Sequence, residues 1–542
     1  MAYYSLHAYD ADVWVPAFLG LRQQDESLNT DVRFATDVLN VETPNGVLQP
    51  HAAPEIIEDG NNSFEEHKVE TIADFYRRWY DGPGSKHWLI AAANGDIYYR
   101  QDGGYRWEKI ERPQSVDPYQ SNVWSWCTYE TSIQGVDHPI DVLLMSNAKD
   151  GMIKITPPDR PTIWDDVNEY TWGDLNDEST GKTWGELKTE AWNIEAVNTG
   201  DYKFGVIERH AERIWGGALP DDPDMLVYSK PYDPEDWTAD QSIPADGAGT
   251  IQQPSWDGDS FTALRSFGDQ LIAFKEHRVW RVISSYDTDV PFEMKEQFGG
   301  GAPFFNTIAV DVERIYFADV NGLSVYDGMS VTPFQRKLIE PLWRQINRSA
   351  MDQMCGVLFN NKYYLSVPMG NSTVNNALIV VNMEENTILY YDDLKIESLL
   401  STPEVVYATS SDLPGKVLKL GYNSWVLGKA GGGKTKWVSP WMDFGYKKIQ
   451  KGGFDLYFTP EVQTEAVTLK ISIQTEKKTK SKTYTIVPLT EKELATNKEY
   501  RNKKLHFGGA GRRFRIIIET NGGTAPWRLI GGLHLVVETD PD

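Results

Sequence analysis

The sequence predicts an all-β protein: a β-propeller of six or seven blades, an extended arm in front of it, and a β-sandwich of jelly-roll type behind it. Three observations carry that prediction. Aromatic residues make up 12% of the chain and fall in short runs, 44 Gly and 29 Pro punctuate those runs, and strand-and-turn units recur roughly every 35 to 60 residues. Long amphipathic helical patterns are scarce. At 542 residues the chain exceeds what one hydrophobic core usually supports, so two or more units are expected.

Residues 1–70 read as an extended arm with turns, Trp14-Val-Pro-Ala-Phe-Leu-Gly20 being followed by the polar Gln24-Asp-Glu-Ser-Leu-Asn-Thr30, with a short helix at Val32–Leu39. The propeller is placed at 71–422. Its clearest hairpin is Trp88-Leu-Ile-Ala-Ala-Ala93, Asn94-Gly95, Asp96-Ile-Tyr-Tyr-Arg100, where Asn-Gly supplies the positive φ angles of a two-residue turn, and Trp107 opens the next strand. The pattern returns at Gln270–Phe274, Arg314–Tyr326, Val357–Val367, Ala377–Tyr391 and Val405–Leu420. Repeated meanders of this kind fit propeller blades, which bury their faces only against neighbours; stacked sandwiches or a β-solenoid are the competing architectures.

An internal repeat interrupts the pattern. Thr171-Trp-Gly-Asp-Leu175 and Thr183-Trp-Gly-Glu-Leu187 lie in a segment at about 159–198, flanked by Trp164 and Trp192. It reads as a blade-loop insertion, and Trp164, Trp172, Trp184 and Trp192 are candidate contacts to the propeller, a neighbouring subunit or a glycan. Tyr119, Trp124 and Trp126 offer a similar surface, although filling of blade interfaces suits Trp124 and Trp126 better. A Gly-rich linker at 423–436 leads to the C-terminal sandwich at 437–542, whose strands alternate apolar and polar residues. Lys477, Lys478, Lys480 and Lys482 mark a hairpin tip there and form a second candidate interaction surface.

Chemistry-bearing motifs are few. Gly428-Lys-Ala-Gly-Gly-Gly-Lys-Thr435 satisfies the phosphate-loop pattern, but that loop must run from a strand into a helix, and Trp437-Val-Ser-Pro440 announces a strand. Asp221, Asp222, Asp224, Asp233, Glu235 and Asp236 could hold a cation, yet the spacing of a calcium loop is missing and the neighbouring prolines mark ordinary solvated turns. A glycosidase would need paired carboxylates across a central pocket; Asp257, Asp259 and Asp269 are the candidates, with nothing in sequence to aim them. The nine histidines have no zinc-type spacing, and Cys127 and Cys355 sit in apolar strands as buried small hydrophobes, not as a disulfide. No enzyme, cofactor or metal is expected.

The net charge of -25 argues against binding nucleic acid through its phosphates. It is unevenly spread: from Asn423 onward 20 Lys and Arg face 12 Asp and Glu, a balance of +8, which leaves -33 on the rest. A basic module on an acidic body suits docking onto another acidic protein and equally suits a solvated surface. No apolar run approaches membrane-spanning length and the start carries no secretory signal pattern, so a cytosolic, unexported product without membrane insertion is expected.

Several stretches resemble a known group. Glu212-Arg-Ile-Trp-Gly-Gly217, Pro223-Asp-Met-Leu-Val-Tyr-Ser229, Pro234-Glu-Asp-Trp237, Asp257-Gly-Asp259 and Phe274-Lys-Glu276 are similar to stretches common in virion proteins of tailed phages. So are Leu28–Asn40 with Gly46-Val-Leu-Gln-Pro50, and Trp441-Met-Asp-Phe-Gly445 with Gly511-Arg-Arg-Phe-Arg515 resembles the sandwich domain appended in that group. The resemblance implies a structural protein of the tail or portal vertex, like the tail hub, nozzle or packaged-DNA-stabilising proteins of short-tailed phages. It further implies a ring-forming homo-oligomer, a hexamer or dodecamer, that shapes the DNA exit channel and contacts portal or adaptor proteins and tail fibres. Two other readings stay open: a receptor- or glycan-binding propeller, and a polysaccharide-degrading one.

Overall fold

The computed structural model describes residues 6–7, 10–22, 31–60, 62–78, 85–101, 104–113, 116–131, 140–158, 192–252, 258–285, 287, 289–421, 423–443, 451–490, 493 and 502–539. The protein is all-β, and seven four-stranded antiparallel sheets follow one another in the arrangement of a β-propeller. Blades 1 to 6 are each built from four strands consecutive in sequence: 69–109, 125–196, 206–252, 261–297, 309–334 and 355–391. Blade 7 takes Ile396–Ser401, Val406–Ser410 and Val417–Lys419, and its outer strand is Glu55–Ile56 from the other end of the chain, with Leu418 opposite Ile56. First strands of blades 2 to 4 lie side by side, as do those of blades 5 to 7; Phe274 and Phe317 share the core that joins blades 4 and 5, Val69–Arg78 of blade 1 meets Ile140–Asn147 of blade 2, and Ile396–Ser401 of blade 7 returns to Val69–Arg78, so the ring closes.

Local sequence explains the hairpins. Asn94 and Gly95 adopt φ of 52° and 73°, and Asn360-Asn361 adopts 48° and 57°, the left-handed pair that a two-residue hairpin requires. The stretch Glu212–Trp237 is structural. Trp215 is fully buried, Gly216 leaves room for the Phe204 ring that packs at a tilt on Trp237 at 4.9 Å, and Arg213 donates to the carbonyls of Ser229 (2.6 Å), Gly247 (2.7 Å) and Ala245. A buried guanidinium with three carbonyl partners fixes a long loop.

The described strands of the expected N-terminal arm are paired into the rest of the fold. Asp10–Val15 pairs with Trp527–Thr539 in a five-stranded sheet completed by Leu6–His7, Lys451–Val462 and Lys503–Gly511. The stretch expected as a helix at 32–39 instead ends in strand Asp37–Leu39, where Val38 lies opposite Trp437. That strand belongs to a second five-stranded sheet with Thr435–Val438, Phe514–Thr520, Val467–Thr475 and Thr479–Ile486. Tertiary pairing overrides local preference here, because Val38 finds a fully covered place beside Trp437.

The two sheets bury alternate residues, Phe514, Ile516 and Ile518 from one and Phe454, Leu456 and Phe458 from the other. Their core continues without interruption into blades 5 and 6 through Tyr316, Leu323, Tyr363 and Ile379. The eight-residue helix Arg336–Trp343 after blade 5 adds Leu338, Ile339 and Trp343 to it.

The Gly-rich segment is not a flexible linker. Asn423 caps a four-residue helix, Gly428 terminates it with φ of 70°, and Ala430 and Gly432 bridge to Ala52 and Gly523. An added Cβ at Gly431 would collide with the His51 ring, and at Gly433 with the Asp393 carboxylate. The insertion boundary also moves. Asn193–Ala196 is the fourth strand of blade 2, so the inserted segment ends before it and not at 198.

Candidate functional site

The first strand of every blade lines an axial cavity of about 720 Å³. Its charged groups are Glu70 from blade 1, Glu208 and Arg209 from blade 3 and Arg265 from blade 4, while blades 5 to 7 contribute Val310, Val357 and Leu399 together with Asn306, Ser398 and Ser401. Glu208 and Arg265 stand 3.8 Å apart, and each keeps about a fifth (21%) of its side chain open to the channel while protein surrounds the remainder. Burial pushes the Glu208 carboxyl up to about 7, against the pull of Arg265 and of a backbone N–H from Ser266. Burial likewise lowers the Arg265 guanidinium from its ordinary value, opposed by Glu208. Arg265 donates through Nη1 to the Leu264 carbonyl at 2.8 Å and lies 5.0 Å over the Phe305 ring.

A second concentration of titratable groups sits where the Gly-rich segment meets blade 6. His51 Nε2 is 2.8 and 2.9 Å from the two Asp393 oxygens, and its Nδ1 is 2.8 Å from the Ala52 carbonyl. Both partners can only accept, so both ring nitrogens carry protons and His51 is an imidazolium. Burial works against that charge, but Asp393 outweighs it and the His51 pKa is raised. Asp393 also accepts from the Gly433 N–H at 3.1 Å, so a loop that matches the phosphate-loop pattern meets the protein's own carboxylate. Glu42 lies beside His51 with Oε2 unpartnered; burial pushes it up to about 7, and a void of about 20 Å³ next to it has room for one water.

The residues singled out from sequence scatter. Trp164, Trp172 and Trp184 lie outside the described residues. Trp192 packs on Tyr99 (4.7 Å), Trp88 (5.2 Å) and Phe75 (6.3 Å), so it fills blades 1 and 2. Trp124 is buried with Tyr119 edge-on at 5.1 Å, and Trp126 lines the channel. Lys477, Lys478, Lys480 and Lys482 are exposed at the tip and along the edge strand Thr479–Ile486, and none makes an ion pair among the described residues; Lys482 lies 5.9 Å over the Phe507 ring.

Asp257 is outside the described residues, Asp259 is buried and accepts from the His277 N–H at 3.0 Å, and Asp269 is exposed. Neither Asp259 nor Asp269 lines the channel. In the acidic stretch Asp224 pairs with the fully buried Lys275 at 2.7 Å and Asp236 with Lys230 at 3.4 Å, and Glu235 pairs with Lys154. No group of three or more His, Cys, Asp or Glu among the described residues could hold a metal ion. Cys127 and Cys355 are both buried and free, as expected.

Sequence reasoning missed Glu208, Arg265, Glu42, His51 and Asp393. The one available signal was Val206-Ile-Glu-Arg-His210, where three charged or polar residues follow one another in a strand without alternation. No described helix is long and apolar enough to cross a membrane.

No protein-family model matches the chain, and no curated protein matches it. Among solved structures the chain is similar to the WD40 domain of Neurospora crassa Pan2, with 9% identity, 69% of this chain and 95% of that domain covered, and a TM-score of 0.33.

Proposed function

We propose that the chain is a non-catalytic structural component of a tailed-phage virion: a ring-forming tail hub, nozzle or head-to-tail protein that shapes the DNA exit channel and docks fibres. In this reading the seven sheets are propeller blades and the two five-stranded sheets are a jelly-roll-like β-sandwich. The observation that carries it is the continuous apolar core from the two-sheet unit into blades 5 and 6, with strands from the front of the chain locking both units. A body tied together this way passes load from one unit to the other through packed side chains, as a mechanical part must. The phage-like stretches at 28–50 and 212–276 point to the virion. Closed rings follow when one surface of a copy repeatedly meets a different surface of the next, and the +8 of the C-terminal region and the -33 of the rest supply complementary charge for such a contact.

The test is capture. Purified protein added to phage particles that lack it is expected to bind in a fixed ratio at the portal vertex, visible by electron microscopy. Protein that ignores the particles and instead binds host cells or purified surface glycans would replace this proposal with the receptor-binding one.

A further inference from the structure

Arg265 is a channel charge with few partners among the described residues. A guanidinium has five N–H donors in a planar fork. One goes to the Leu264 carbonyl, one face of the guanidinium plane is covered by the Phe305 ring, and the nearest Glu208 oxygen at 3.8 Å is beyond hydrogen-bond range. Its neighbour Arg209 is committed elsewhere, 5.1 Å over the Tyr129 ring and 3.3 Å from Glu212. Among the described residues the remaining donors of Arg265 have no other partner, and they face the channel. A guanidinium largely removed from bulk water with donors unspent is costly, and a carboxylate matches its fork in two parallel bonds. The channel volume of about 720 Å³ lies within the range of small-molecule pockets, and blades 5 to 7 line it with Val310, Val357 and Leu399 beside Asn306, Ser398 and Ser401.

We propose that the axial channel binds a small organic carboxylate with an apolar body, its carboxylate on Arg265 and its body against Val310, Val357 and Leu399. Glu208 is the competitor for the same guanidinium, and the other channel charges are Glu70 and Arg209. As Glu208 ionises with rising pH it both repels the ligand and occupies Arg265, so binding weakens from pH 6 to pH 8. This site is independent of the virion assignment.

Calorimetric titration of the full chain with benzoate tests it, with benzamide as the uncharged counterpart and acetate as the carboxylate without a body. Benzoate is expected to bind saturably, with benzamide and acetate each weaker by about tenfold or more, the loss of one charged or one apolar contact set. Arg265→Met is expected to lose benzoate binding, and Glu208→Gln to bind it more tightly and without the pH dependence. Equal affinity for benzoate and benzamide, absence of saturable benzoate binding, or weaker binding by Glu208→Gln would each overturn the proposal. The benzamide comparison and the Glu208→Gln variant decide the matter even if Arg265→Met does not fold.

Discussion

Blades 1 to 6 are each made from four consecutive strands, whereas neither sheet of the two-sheet unit can be completed without residues from both the front and the back of the chain. In the propeller, a blade needs only its own turns and the neighbour that covers its face. In the other unit Asp10 must find Glu538, and Val38 must find Trp437, before any face is buried. Long loop closures precede the reward there, so that unit and blade 7, closed by Glu55–Ile56, should form last and fail first.

Deleting residues 1–15 breaks this comparison most severely. It removes the strand carrying the fully buried Val13 and Val15 and bares the edge of Trp527–Thr539, while the closing strand of blade 7 is retained. A loss of more than about 4 kcal/mol is expected, read as a separate early transition of the two-sheet unit in calorimetry. Trp437→Ala empties a fully buried position that packs edge-on to Phe18 at 5.0 Å and donates to the Leu19 carbonyl at 3.2 Å. It is expected to cost about 3–5 kcal/mol in chemical denaturation, against a smaller effect for the half-buried Trp192→Ala in the propeller.

The junction sharpens the comparison. Glu42 has its folded pKa raised from 4.5 to about 7, so the folded state holds a proton that the unfolded chain has already released, and stability falls as pH rises from about 4.5 through 7. His51, also raised, contributes stability that is complete below its ordinary value of 6.5 and is lost as pH climbs through its folded value. Both act in one direction. The unfolding free energy should drop by on the order of 2 kcal/mol between pH 5 and pH 9, and Glu42→Gln should flatten the lower part of that slope. Gly431→Ala, which drives a Cβ into the His51 ring, should cost about 1–3 kcal/mol and lower the melting temperature. The smallest effect belongs to the lysine edge. Replacing Lys477, Lys478, Lys480 and Lys482 together by Glu should move folding stability by no more than about 0.5 kcal/mol per site, while weakening any ring built on opposite charge.

What could be read in advance follows the same division. Trp88–Ala93, Asn94-Gly95 and Asp96–Gln101 were legible because the turn and both strands are adjacent in sequence. Val32–Leu39 was misread because its strand exists only through Thr435–Val438. The glycines at 428–433 have the composition of a loose linker, and their role, letting backbone approach His51 and Asp393, appears only once those residues are beside them. Glu208 and Arg265 were invisible for a related reason. Which side chain of a blade's first strand faces the axis depends on how the ring closes, and no local pattern records that.

Native mass spectrometry of the purified chain tests the central claim most directly. The account predicts a discrete closed oligomer, a hexamer or dodecamer, that dissociates as salt is raised because complementary charge draws its copies together. A monomer at every concentration and salt examined would contradict it.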